Sequence, residues 1–169
     1  MDNNKYYMKL IFWLIPLIAI ILAVSVIFSG RTVFISPAFS GVILKDGHPM
    51  INVQVTRYTD YESSAVESVY TDSQGKFSFP ALSKKSMSAF NPLSNHAAEN
   101  IIYLNGKSDN KNVIYFATVD TLHPSVVLEH ITASVSFDID KPLIEYSFAD
   151  KTFTLSARSD IAGYQNKYQ

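Results

Sequence analysis

Leu10 to Phe28 carries no charged side chain over nineteen positions, and beyond Pro37 the chain changes to an alternation of apolar and polar residues with a period of two. The first pattern predicts a helix that is apolar on every side. At ~1.5 Å per residue it extends about 28 Å, close to a ~30 Å hydrocarbon core, so the expectation is a single transmembrane helix over residues 10–30. Pro16 is tolerated in such a helix, and Trp13 suits the headgroup region. Lys5 and Lys9 precede the run and only Arg31 follows it closely, so the positive-inside bias puts residues 1–9 in the cytoplasm and the rest outside. A cleaved leader is the competing reading, with Ala23 and Ser25 as the small residues before the cut. It would leave Val26, Ile27 and Phe28 as the new N-terminus. Either version exports the remainder.

A linker is expected over residues 31–37, one domain over 38–160 and a polar tail over 161–169. Alternation bounded by turn residues predicts the strands of that domain. Phe39–Leu44 is the first, and Lys45-Asp46-Gly47-His48-Pro49 follows as a turn in which Pro49 ends ladder pairing. Ile51–Tyr58 sets Ile51, Val53 and Val55 on one face and Asn52, Gln54 and Thr56 on the other. Tyr58–Ser68 is polar and reads as an exposed loop or edge hairpin leading to Val69-Tyr70-Thr71. Thr71 to Pro80 combines a polar turn, a glycine suited to φ > 0, and a Phe-x-Phe alternation that drives two rings into one core. Ser83–Asn100 reads as a long loop. Ile101–Leu104 and Val113–Ala117 form a hairpin, Ile131 to Ile139 alternate as a strand, and Leu143–Phe148 with Thr152–Ala157 flank Asp150-Lys151 as a second hairpin. The fold class is all-β.

Four stretches carry a resemblance: Ser40-Gly41-Val42, Gly47-His48-Pro49, Val53-Gln54-Val55 and Thr71-Asp72-Ser73-Gln74-Gly75-Lys76-Phe77-Ser78-Phe79. Together they resemble the carboxypeptidase regulatory-like group of transthyretin-like (prealbumin-like) β-sandwiches. More narrowly, they are similar to an uncharacterised proteobacterial family of membrane-anchored proteins built on that domain. The resemblance covers Ser36 to Leu82. It implies a seven-stranded accessory, adhesive or binding module, here with extra C-terminal strands, and no catalytic residues.

Composition narrows the partners. From Arg31 onward 12 Lys and Arg stand against 14 Asp and Glu, interspersed without a basic face, which argues against nucleic acid. The chain has no cysteine, which excludes a disulfide framework, a thiol nucleophile, a zinc knuckle and an acylated lipoprotein cysteine. His48, His96, His123 and His130 show no i, i+4 pairing and no metalloprotease pattern, and there is no Gly-x-Ser-x-Gly elbow. No catalytic, cofactor or metal site is expected. Asp60, Glu62, Glu67 and Asp72 raise calcium as an alternative, yet EF-hand spacing is missing and acids near turns ordinarily bond the backbone.

The candidate partner-binding loop is Tyr58, Asp60, Tyr61, Glu62, Glu67 and Tyr70, because aromatic residues on an exposed loop are what protein interfaces enrich. The functional expectation is a non-enzymatic binding module. It would be anchored in the inner membrane through Leu10–Phe28 with its domain in the periplasm, bind a protein partner, and in a narrower form serve as an immunity protein against a periplasm-acting toxin. The alternatives are an envelope hydrolase with a loop-built site and a structural subunit of a membrane complex.

Overall fold

The computed structural model describes residues 3–28, 30–106, 112–146, 148 and 153–161, with side chains of the first helix described at 11–22, 24 and 25. The chain divides into two compact units, Met1–Thr32 with Lys85–Ser94 and Val33–Lys84 with Asn95–Gln169.

The first unit contains α1 (Asn3–Phe28), with Pro16 inside it. Every described side chain of α1 is exposed. No helix among the described residues is long and apolar enough to cross a membrane. The helix expected over residues 10–30 forms as part of α1, which ends at Phe28. The rest of this unit is a short 3-10 turn, Ser88–Phe90, in which Phe90 N donates to Met87 O at 3.2 Å and Asn91 N to Ser88 O at 2.9 Å.

The second unit is mostly β, with the architecture of a sandwich. Its larger sheet is antiparallel and six-stranded, in the order β11 (Ile144–Tyr146), β12 (Phe153–Ala157), β9 (Val113–Asp120), β8 (Ala97–Leu104), β4 (Gln54–Tyr61) and β5 (Ser63–Tyr70). In the smaller sheet, β2 (Phe39–Lys45) pairs in parallel with β10 (Val135–Asp138) on one side. On the other it pairs antiparallel with β6 (Lys76–Phe79) and β3 (His48–Pro49). A separate ladder joins β1 (Arg31–Ser36) to β7 (Leu82–Ser86).

The core lies between the two sheets. Alternation on β2, β6 and β10 drives Phe39, Phe77, Phe79 and Phe137 inward, each no more than 5% exposed. Phe39 stacks on Phe77 and Phe137 at 6.0 and 5.8 Å, and meets Tyr115 of the opposite sheet edge-on, with centroids 4.7 Å apart. Quadrupolar rings favour these offset and T-shaped contacts over a face-to-face sandwich. The turn feeding Phe77 and Phe79 forms as expected: Gly75 has φ +73°, and Asp72 Oδ1 accepts from Gln74 N and Lys76 N at 2.8 and 2.9 Å.

Several expected elements differ. The linker 31–37 is largely a strand. Its backbone is tied to the large sheet where Phe34 N donates to Thr121 O at 2.9 Å and Asn100 Nδ2 to Ile35 O at 2.9 Å. The strand expected from Ile51 begins at Gln54, because Asn52 turns to φ +55° and leaves Ile51 60% exposed. The long loop Ser83–Asn100 carries strand at both ends. Residues expected to open a strand at Ile131 instead belong to α2 (Val126–Thr132), whose Ser125 accepts from Leu128 N in an N-cap that outweighs the β-branched propensity. The hairpin strands around Asp150-Lys151 form, while the turn and the tail from residue 162 lie outside the described residues.

Candidate interaction surface

Tyr58–Ser68, expected as a loop or edge hairpin, is the hairpin. Strands β4 and β5 pair from Gln54↔Tyr70 to Tyr61↔Ser63 and reverse at Glu62, whose φ is +58°. The period of two then splits five of the six candidate residues between opposite faces, with Glu62 at the reversal. Tyr58, Asp60 and Tyr70 lie on the outer face. Tyr61 and Glu67 fall on the core face with Val55, Arg57 and Thr59, although Glu67, on the edge strand, keeps 41% of its side chain exposed.

Their inward roles are specific. Arg57 is 1% exposed, and its Nε donates to Glu67 Oε1 at 2.5 Å, while Nη1 donates to Ser36 Oγ and Pro37 O, both at 3.2 Å. Nη2 sits against the same carboxylate without hydrogen-bond geometry, and the guanidinium carbon lies 5.0 Å above the Phe79 ring. Tyr61, 4% exposed, is capped by Lys84, whose Nζ is 5.1 Å from the ring and donates to Tyr61 O at 2.5 Å. Glu62 at the reversal pairs with the same ammonium at 3.3 Å.

On the outer face, ladder register aligns Val66, Tyr58, Ile101 and Phe116 in one row across β5, β4, β8 and β9. Val66 is 61% exposed and the other three are half-buried. One repeat further along the strands, Asp60 stands directly opposite Glu99, and both are exposed. Like charges facing each other across a ladder destabilise it. Among the described residues no ion pair relieves either one. Tyr58 Oη lies 3.4 Å from Asp60 Oδ2. At the end of β5, Tyr70 is 62% exposed and rims a cleft of about 510 Å³ with Ser40, Asp72, Lys76 and Ser78.

Val66, Glu99, Ile101 and Phe116 were missed from sequence. Alternation in Glu99-Asn100-Ile101-Ile102 carried the signal, but Asn100 on the core face made the sidedness ambiguous. The calcium alternative loses its ligands, since Asp60 faces outward, Glu62 and Glu67 are engaged by Lys84 and Arg57, and Asp72 is held in its turn. No three His, Cys, Asp or Glu among the described residues come together to hold a metal.

The histidines are separated as well. His48 is exposed in β3, and His96 lines a shallow cleft with Asp120 and Thr154. His123 Nδ1 lies 3.0 Å from Asp120 Oδ2. Burial pushes the Asp120 carboxyl up, but contacts from His123 and the Leu122 and His123 amides outweigh it and hold the group below its usual range. His130 borders a cleft of about 530 Å³ with Ser134, Asp138, Lys141 and Asp160.

Residues 39–142 match the family model described as Domain of unknown function (DUF6795), from the first residue of β2 to just past β10. No curated protein and no solved structure matches the chain.

Proposed function

We propose, for a chain that belongs to the DUF6795 family, that the sandwich is a non-enzymatic binding module meeting a protein partner through the outer face of its large sheet. The observation that carries this reading is the row Val66–Tyr58–Ile101–Phe116, aromatic and apolar across four strands and bordered by the uncompensated pair Asp60–Glu99. A complementary partner presents a cation and an apolar side chain about 7 Å apart, the two-residue repeat of a strand. Local rules broken on a surface, such as facing carboxylates, are where function is expected to be offset against stability.

Helix α1 holds the module at a bacterial-type inner membrane with the sandwich on the periplasmic side. The uncharged run Leu10–Phe28 within a helix whose described side chains are all exposed supports this, since such a surface calls for an apolar cover. The sandwich is of the transthyretin-like, carboxypeptidase regulatory-like kind, supported by the Asp72–Gly75 turn delivering Phe77 and Phe79 to the core. A narrower form is an immunity protein neutralising a periplasm-acting toxin, a task suited to a small anchored blocker.

The test is recovery of partners from crosslinked envelope with the full chain and with Tyr58→Ser, Val66→Ser and Phe116→Ser combined. Loss of a specific partner in the triple variant supports the surface, and identical recovery overturns it. Full-length chain found among soluble cytosolic proteins would remove the anchor. Deletion without effect on competition between sibling cells would remove the immunity form. A second reading, an envelope hydrolase, is favoured only by the cleft that brings His130, Ser134, Asp138 and Asp160 together. Replacing all four histidines by alanine with unchanged phenotype disposes of it.

A further inference from the structure

The segment between β7 and β8 presents three large apolar side chains at intervals of three: Met87 is 47% exposed, Phe90 57% and Leu93 92%. Side chains three apart eclipse in a 3-10 turn, so Met87 and Phe90 project to the same side of the Ser88–Phe90 turn. The tip is not loose chain. Phe90 N donates to Met87 O, Asn91 N to Ser88 O, Leu93 N to Asn91 Oδ1 at 3.0 Å and Ser94 N to Asn91 O at 3.1 Å. These four backbone donors are spent locally, and Met87, Phe90 and Leu93 are turned to the outside while Ala89 is buried.

This tip belongs to the same compact unit as α1. Gly30, two residues beyond the helix, lies so close to Ser86 that a Cβ there would stand 3.2 Å from Ser86 N and O. The apolar tip therefore starts one residue after the point where the chain leaving α1 touches it. Charge follows the same division. From Ser83 to Ala98 there is no Asp or Glu, and Lys85 on one strand and Arg31 on the other are exposed beside the tip.

We propose that Met87, Phe90 and Leu93 form a second membrane contact, inserting into the headgroup and upper acyl region beside the helix, with Arg31 and Lys85 against anionic headgroups. The inference rests on the reading of α1 as the anchor. An exposed apolar cluster flanked by cations fits an interfacial lipid contact: its depth is set by buried apolar area and its hold is strengthened by anionic lipid. A protein groove would also cover three such side chains, but the continuity with an uncharged helix and the two flanking cations favour lipid.

The absence of cysteine makes the test direct. Single variants Met87→Cys, Phe90→Cys, Leu93→Cys, Ile18→Cys and Ser64→Cys of the full chain are spin-labelled and reconstituted in vesicles of phosphatidylethanolamine and phosphatidylglycerol. Collision with oxygen and with a water-soluble nickel chelate is then measured. The expected result is oxygen-rich, nickel-poor labels at 87, 90 and 93, with nickel accessibility about fivefold or more below that at Ser64, which lies on the solvent edge of β5. Replacing phosphatidylglycerol by phosphatidylcholine raises nickel accessibility at the tip, and Arg31→Gln with Lys85→Gln does the same in the original vesicles.

Labels at 87, 90 and 93 as open to nickel as Ser64, with Ile18 immersed, overturn the tip contact and leave the anchor standing. An Ile18 label open to nickel overturns the anchor itself, and the tip contact with it. Should one cysteine variant fail to fold, the remaining two tip positions decide the question, and circular dichroism identifies the failure.

Discussion

Arg57 and Glu67 stand directly opposite each other on β4 and β5, the guanidinium shut into the sandwich and the carboxylate on the edge strand, with 41% of its side chain exposed. A charge removed from water is tolerable only while its partner stays in place. Glu67→Ala is expected to cost about 3 kcal/mol, the lower end for stranding a buried charge, because Ser36 Oγ and Pro37 O still hold Nη1. Arg57→Met combined with Glu67→Gln recovers most of that loss. Urea unfolding of the full chain in detergent, followed by circular dichroism, measures both, and a double variant no better than Glu67→Ala would refute the account.

Asp72 gives the fold a dependence on acid. Hydrogen bonds from the Lys76 and Gln74 amides hold its carboxyl below the usual value of 3.8. A group depressed in the folded state stabilises it above the unfolded pKa and loses that contribution as pH falls through the folded one. Stability should therefore decline as pH drops below about 3.8, and Asp72→Asn should flatten that part of the curve. Unfolding midpoints taken across this range for both chains decide the matter; parallel curves count against it.

Gly75 occupies φ +73°, where an added Cβ would come within 3.0 Å of both Ile43 O and Pro49 Cβ. Gly47 has the same φ with nothing within 4 Å. Gly75→Ala is thus expected to cost about 2–4 kcal/mol and Gly47→Ala about 1 kcal/mol, the difference being crowding rather than handedness. Equal losses in the same unfolding assay would mean that the contacts at Gly75 relax.

Tyr115 is 2% exposed and its hydroxyl has no hydrogen-bond partner among the described residues. Burial pushes the phenol well above its usual pKa. Tyr115→Phe removes an unsatisfied polar atom and keeps the edge-on contact with Phe39, so it should raise stability by about 1 kcal/mol. Phe39→Ala, which empties the centre of the aromatic cluster, should cost about 3–5 kcal/mol. A destabilised Tyr115→Phe chain would show that the hydroxyl is satisfied after all.

Asp60→Asn relieves the repulsion with Glu99 and should stabilise by about 0.2–1 kcal/mol while weakening partner recovery. Stability and binding moving in the same direction would detach the acid pair from function.

The strands were largely legible wherever a turn with a mechanism set them off. Phe39–Leu44 and the Asp72–Gly75 turn into Phe77 and Phe79 are local features, and they form as the alternation predicts. Val126–Thr132 was not legible, because an N-cap at Ser125 decides the element against residues whose side chains favour extension. The six-residue candidate loop was half legible. Its exposure could be read, but the β4–β5 register decides that Tyr61 and Glu67 face the core, and Ile101 and Phe116 join Tyr58 only through a register that no single segment contains.

The parallel pairing of β2 with β10 sets an order of events. Gly41 aligns with Val135, so closing this ladder joins segments separated by roughly ninety residues, an entropic cost met late. Phe39 and Phe77 can meet once the chain through β6 is in place, but Phe137 completes their cluster only when β10 has been made. A nascent chain interrupted before Val135 would leave one edge of β2 bare, and truncation there should yield aggregation rather than a smaller working domain.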